Sequence, residues 1–111
     1  MKINAAVSAL SALAHEGRLA IFRMLVQAGP SGLTVGHIAK KAGMPGATLS
    51  FHLSALKQAG LVRAERRSRE LIQTADFSCM NDLVGYLTEN CCGGNAAACS
   101  PAPKQMQKRR A

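Results

Sequence analysis

The chain is poor in aromatic rings and in acid. Of its 111 residues three are phenylalanine and one is tyrosine, and tryptophan is absent. So few rings cannot fill the core of an aromatic-rich β-sandwich. Apolar residues nevertheless make up 48% of the chain, chiefly Leu, Ala, Val and Met, a mixture that favours packed helices. Acidic residues number six against fourteen lysines and arginines, for a formal charge of +8. That balance excludes a surface built for cationic partners and favours polyanions, nucleic acid above acidic lipid. Lys104, Lys108, Arg109 and Arg110 form a basic tail, and without them the body is still basic. No apolar run approaches the roughly 20 residues of a membrane span, so no membrane partner is expected. Gly-rich phosphate loops, His-Glu-x-x-His and paired carboxylates are also missing, and catalysis is not expected.

At this length one domain is expected, near the size at which dimerisation adds stability. The opening residues imitate a secretory signal ending in Ala12-Leu13-Ala14. Ile3, Val7, Leu10 and Leu13, however, fall on one stripe at helical spacing, as an amphipathic packing helix requires. The expected compartment is the cytoplasm, where clustered thiols stay reduced and bind metal or sense redox more often than they form structural disulfides.

Glu16-Gly17-Arg18 breaks the first helical pattern. Leu19, Ile21, Phe22, Leu25 and Val26 mark a second helix that stops at Gly29-Pro30. Thr34 can cap a short helix over 35–41, closed by Gly43. Pro45 suits the first turn of a helix over 45–59 that carries Leu49, Leu53 and Leu56 inward. Two helices joined by a tight glycine-containing turn form a helix-turn-helix pattern. Segments 61–64 and 71–74 are short strand candidates around a charged loop at 65–70, a hairpin placed as a wing. Helical spacing returns over 77–89, with Met80, Leu83, Val84 and Leu87 on one stripe. The expected organisation is a winged helix-turn-helix and dimerisation domain at 1–90, a cysteine-rich loop at 91–99 and a disordered basic tail at 100–111. The fold class is mainly α with a small β-hairpin.

The segments Leu13-Ala14-His15-Glu16-Gly17-Arg18-Leu19-Ala20-Ile21-Phe22 and Thr48-Leu49-Ser50-Phe51-His52-Leu53-Ser54-Ala55-Leu56-Lys57-Gln58-Ala59-Gly60-Leu61-Val62 carry a family resemblance. The second resembles the recognition-helix signature of the ArsR/SmtB metalloregulatory repressors, and the likeness extends over residues 5–90, helix by helix. It implies a homodimeric winged helix-turn-helix repressor that leaves operator DNA when a metal or metalloid binds, and the first and last helices, each with one apolar stripe, are the expected dimer surfaces.

A recognition helix offers its N-terminal, outward side chains to base edges. Here those are Gly46, Ala47, Thr48, Ser50 and Phe51. Thr48 and Ser50 can bond to bases or phosphates, and Ala47 and Phe51 can touch a thymine methyl. His52 stands beside them, approaching DNA or bonding to neighbouring backbone. Lys40, Lys41 and Lys57 suit phosphates, which fix register without reading sequence, and Arg66, Arg67 and Arg69 of the wing can reach a minor groove or backbone.

Family members differ in where the inducer binds. The Cys-x-Cys that some carry on the first helix of the helix-turn-helix has no counterpart in residues 33–38, and the last helix lacks the histidine of the zinc-binding type. The remaining thiols are Cys91, Cys92 and Cys99. Adjacent cysteines can meet on one soft ion where Gly93 and Gly94 let the backbone bend, and Cys99 can return a third sulfur. Three thiolates suit a thiophilic centre. Zinc wants a fourth ligand, whereas a pyramidal trivalent centre needs only three. Trivalent arsenic is the expected inducer, with antimonite, and methylarsenite on the Cys91–Cys92 pair, kept open; no resident cofactor is expected. A redox switch or another thiophilic metal is the alternative. Cys79, roughly 18 Å before Cys91 along a continuous helix, is expected to be buried and inert.

Overall fold

The computed structural model describes residues 1–94. Cys99 and the tail at 100–111 lie outside them, as does the second half of the loop at 91–99.

Helix α1 (Ile3–Leu13) turns its small residues inward: Ala6, Ala9 and Ala12 are buried. Alanine lets a helix axis approach its neighbours closely, so the larger Ile3, Val7 and Leu10 are left on the solvent side. Of the apolar stripe legible in the sequence, only Leu13 packs against the core of this chain.

Helix α2 (Glu16–Ala28) begins earlier than expected. His15 is its N-cap, the ring Nδ1 accepting from the Gly17 amide at 3.0 Å. Glu16 and Gly17 form the first turn instead of a break, and a Cβ on Gly17 would stand only 3.2 Å from the His15 ring. Ile21, Phe22 and Leu25 face the core. A 3-10 turn (Gly29–Ser31) leads to Gly32, where φ is +65° and any Cβ would strike the Gln73 carbonyl at 2.4 Å. Only glycine fits there.

Helix α3 (Val35–Ala42) is capped by the Thr34 hydroxyl, which accepts from the His37 amide at 3.1 Å, and Gly43 ends it in the left-handed conformation. Helix α4 (Gly46–Gln58) buries Leu49, His52, Leu53 and Leu56. Pro45 is its extended N-cap, one position outside the first turn expected for it.

The sheet has three antiparallel strands in the order β1 (Leu33–Thr34), β3 (Glu70–Ala75), β2 (Val62–Arg67). The two-residue β1 was not expected; it pairs Leu33 with Gln73 and Thr34 with Ile72. The hairpin also reaches further than the two apolar runs, to Arg67 opposite Glu70. Its charged residues alternate between exposed faces, so polarity is no barrier to pairing. Only Ser68 and Arg69 remain at the tip, with Ser68 at the positive φ (56°) that tight hairpins need.

Helix α5 (Phe77–Thr88) is capped by Asp76, whose carboxylate accepts from the Cys79 amide at 2.9 Å. Its single buried residue is Leu83. The helices and the base of the sheet share one core, in which Ile21, Leu25, Ile38, Leu49, Leu56 and Leu61 are wholly enclosed. Gln73 is enclosed too, its side-chain Nε2 and Oε1 unbonded among the described residues. The architecture is a winged helix-turn-helix, mainly helical with a small sheet.

Candidate nucleic-acid interface and cysteine site

Helix α4 divides cleanly. Leu49, Leu53 and Leu56 anchor one side in the core, so Gly46, Ala47, Thr48, Ser50 and Phe51 are all exposed on the other. Phe51 is 66% exposed, an uncommon position for a phenylalanine. Lys40 and Lys41 stand exposed on the last turn of α3, where cations complement the helix dipole, and Lys57 does the same at the end of α4. Arg66 and Arg69 are exposed on the wing. The structure thus presents most of the expected DNA-facing set to solvent.

Two of that set are engaged elsewhere. His52 is only 7% exposed. Its Nδ1 accepts from Arg18 Nε at 3.1 Å, and its ring lies 4.7 Å from that of His15. Burial lowers its pKa below the ordinary imidazole value, and the charges of His15 and Arg18 add to the effect. A neutral imidazole accepting at Nδ1 holds its proton at Nε2. His52 is thus held against its own subunit by Arg18. Arg67 donates to the carbonyls of Ser31 (3.0 Å) and Pro30 (3.1 Å) and pairs with Glu65 at 2.9 Å. It ties the wing to the turn after α2 and, through its hydrogen bond, holds the Glu65 carboxyl below the usual range.

Arg18 escaped notice in the sequence. Thirty-four residues separate it from His52, and no local pattern connects them. Besides holding His52, its guanidinium carbon lies 5.5 Å from the centre of the Phe51 ring.

At the other end of the molecule, a 3-10 turn (Cys91–Gly94) follows α5, and Cys92 takes a left-handed φ of 59°. The kink brings the Cys91 and Cys92 sulfurs to 3.4 Å. Two sulfurs each about 2.3 Å from a shared ion lie at most about 4.6 Å apart, so the pair fits one centre. Cys92 is exposed and Cys91 partly buried. Among the described residues no three His, Cys, Asp or Glu side chains form a metal-holding group; the expected third sulfur, Cys99, lies outside them. Cys79 is partly buried near the start of α5, where burial, then Asp76 and Asp82, raise its thiol pKa. Among the described residues no helix is long and apolar enough to cross a membrane.

Buried leucines behind a small-residue reading face, with exposed lysines and a wing beside it, define a winged helix-turn-helix DNA-binding regulator. A family model described as a helix-turn-helix domain matches residues 13–65. The chain is similar to the uncharacterized HTH-type transcriptional regulator YceK of Bacillus subtilis (strain 168), 38% identical over 77 residues, 68% of this chain and 76% of that protein. It is also similar to the homodimeric winged helix-turn-helix DNA-binding domain of Mb0332 from Mycobacterium bovis, a possible ArsR-family transcriptional regulator. There the identity is 31% and the TM-score 0.62, covering 79% of this chain and 82% of that one. A crystal structure of a possible transcriptional regulator for arsenical resistance matches at 25% identity and TM-score 0.61, covering 72% and 80%. The chain belongs to the ArsR family of DNA-binding transcriptional regulators.

Proposed function

We propose that this chain is a cytoplasmic, homodimeric repressor that releases its operator when trivalent arsenic binds its C-terminal cysteines. The observation that carries the inducer reading is the Cys91–Cys92 pair, two sulfurs 3.4 Å apart on a kinked turn directly after α5. A possible transcriptional regulator for arsenical resistance among the similar structures supports the same reading. Bound trivalent arsenic supplies a soft centre that joins thiolates. The chain's part is to bring the thiols together: each gives its proton to a departing hydroxyl of arsenous acid, forming one As–S bond and one water. Cys91 and Cys92 supply two sulfurs, and Cys99 the third. Antimonite would take the same three, and methylarsenite two.

On the DNA side, Thr48 and Ser50 reach bases or phosphates, and Ala47 and Phe51 meet thymine methyls. Lys40, Lys41, Lys57, Arg66 and Arg69 hold the backbone. Two reading heads need a dimer, and the exposed faces of α1 and α5 suit it. Val84 and Leu87 are 54% and 58% exposed. Between α1, α2 and α5 runs an apolar groove of about 360 Å3, lined by Leu13, Leu19, Phe22, Met80, Leu83 and Val84 among others. A two-fold dimer sets its recognition helices in successive major grooves. Thiols drawn together at the end of α5 pull on that same interface, favouring a spacing that no longer matches DNA. The organisation is then a reading and dimerisation domain at 1–90, an inducer loop at 91–99 and a basic tail at 100–111, with no catalytic role.

The test is fluorescence anisotropy of reduced protein on operator DNA with arsenite titrated in. Release is expected for the parent and not for Cys91→Ser, Cys92→Ser or Cys99→Ser. A Cys99→Ser variant that still answers methylarsenite would identify a two-thiol site. Unchanged affinity at saturating arsenite would sink the arsenical reading. Release by mild peroxide alone would replace it with the vicinal-thiol redox switch, the second reading that the same sulfur pair favours.

A further inference from the structure

We propose that Arg18 is a positioning residue for sequence reading: held by His52, its guanidinium braces the Phe51 ring and thereby sets the preference for thymine at the base step that Phe51 meets. The proposal rests on α4 lying in a major groove, as above.

A phenylalanine 66% exposed on an otherwise small and polar helix face has little of its own structure to fix its rotamer. Two groups stand beside it. The His52 ring lies 5.8 Å away, tilted by 58°, and the Arg18 guanidinium lies 5.5 Å from the ring centre. A guanidinium over an aromatic face is attracted by the ring's quadrupole and stacks on it as a plane. Arg18 does not wander to find that position, because its Nε is bonded to the buried His52 ring. That ring in turn lies beside His15, the N-cap of α2. The chain of contacts runs from the α2 N-terminus through Arg18 to the one large apolar side chain on the reading face. A thymine is distinguished from other bases in the major groove by its C5 methyl, which is read by apolar contact. The position of Phe51 thus decides whether that methyl is felt. Lysine cannot replace Arg18 in this role, since it has neither an Nε–H fork nor a plane to stack.

The test compares the duplex that the parent selects from a randomised pool with the same duplex carrying uracil for thymine, which removes only the methyls. The parent is expected to lose about fourfold in affinity for each contacted methyl, the worth of one buried CH2-sized group. Phe51→Ala, at an exposed site, should lose the roughly fourfold share of that preference that Phe51 supplies and keep only the share from Ala47. Arg18→Lys should do the same with its charge and salt dependence retained, and should add nothing to Phe51→Ala. His52→Asn, which keeps an acceptor near the Nδ1 position, should preserve the preference. An Arg18→Lys variant that weakens both duplexes alike but keeps the thymine preference would make Arg18 a phosphate contact or a structural residue, overturning the proposal. So would a preference that Phe51→Ala leaves undiminished. A parent that binds no duplex would overturn the operator reading itself.

Discussion

Helices α4 and α5 are nearly equal in length, 13 and 12 residues, yet the chain holds them very differently. Helix α4 buries four side chains and keeps its small, polar face outward. Helix α5 buries Leu83 alone and leaves Val84 and Leu87 in solvent. The first is fixed by its own subunit, as a reading element must be if base contacts are to keep their register. The second leaves part of its apolar stripe uncovered by its own subunit, which suits the dimer contact and the response proposed above. A helix with few buried contacts can be moved at little cost, and the cysteine pair stands at the end of that one.

The comparison breaks most visibly by truncation in the core. Leu53→Ala in α4 should cost about 3 kcal/mol of stability, the transfer loss plus a cavity. Leu87→Ala in α5 should change the isolated subunit by less than about 0.5 kcal/mol. Urea denaturation read at low protein concentration checks both. Charging the outer face of α5 comes next. Val84→Asp with Leu87→Asp should halve the sedimenting mass and lower operator affinity at least about tenfold, as losing interface residues worth about 2 kcal/mol would. Helicity should be unchanged.

The base of the wing stands between these extremes. Gln73 is fully enclosed with both polar atoms unbonded among the described residues. Gln73→Leu should therefore stabilise the protein by about 1 kcal/mol, since an unmade buried hydrogen bond costs at least that, raising the urea midpoint. The smallest effect is a pH dependence within α4. His52 has a folded pKa below its unfolded value near 6.5, so the unfolded chain takes up the proton first. Stability is complete above that value and declines as pH falls from about 6.5 towards the lowered folded pKa. Denaturation midpoints at pH 7.5 and 5.5 should separate in the parent and converge in His52→Asn.

Much of the reading half was legible because its signals are local. Thr34, Gly43 and the leucines at 49, 53 and 56 each act within a turn or two, and the structure uses them as expected. What stayed hidden depends on distant partners. β1 has two residues, too few for any alternation to register. In α1 both the alanines and the larger residues repeat at helical spacing, and close packing selected the alanines. Arg67 read as a DNA contact because basic residues beside a reading face usually are, and His52 as approaching DNA or bonding to neighbouring backbone. Arg18 and the 30–31 carbonyls that engage them lie more than thirty residues away. In the cysteine site the adjacency of Cys91 and Cys92 was plain. Their closeness, however, comes from a left-handed Cys92, which residue preference alone would assign to glycine.

The coupling between the two halves is tested most directly by measuring arsenite affinity twice, once on free reduced protein and once on protein saturated with operator. Linkage makes the effect reciprocal, so operator should weaken arsenite binding by the factor by which arsenite weakens operator binding, about 5- to 150-fold. Equal arsenite affinities in the two states would mean that the cysteine turn and the reading helix do not communicate.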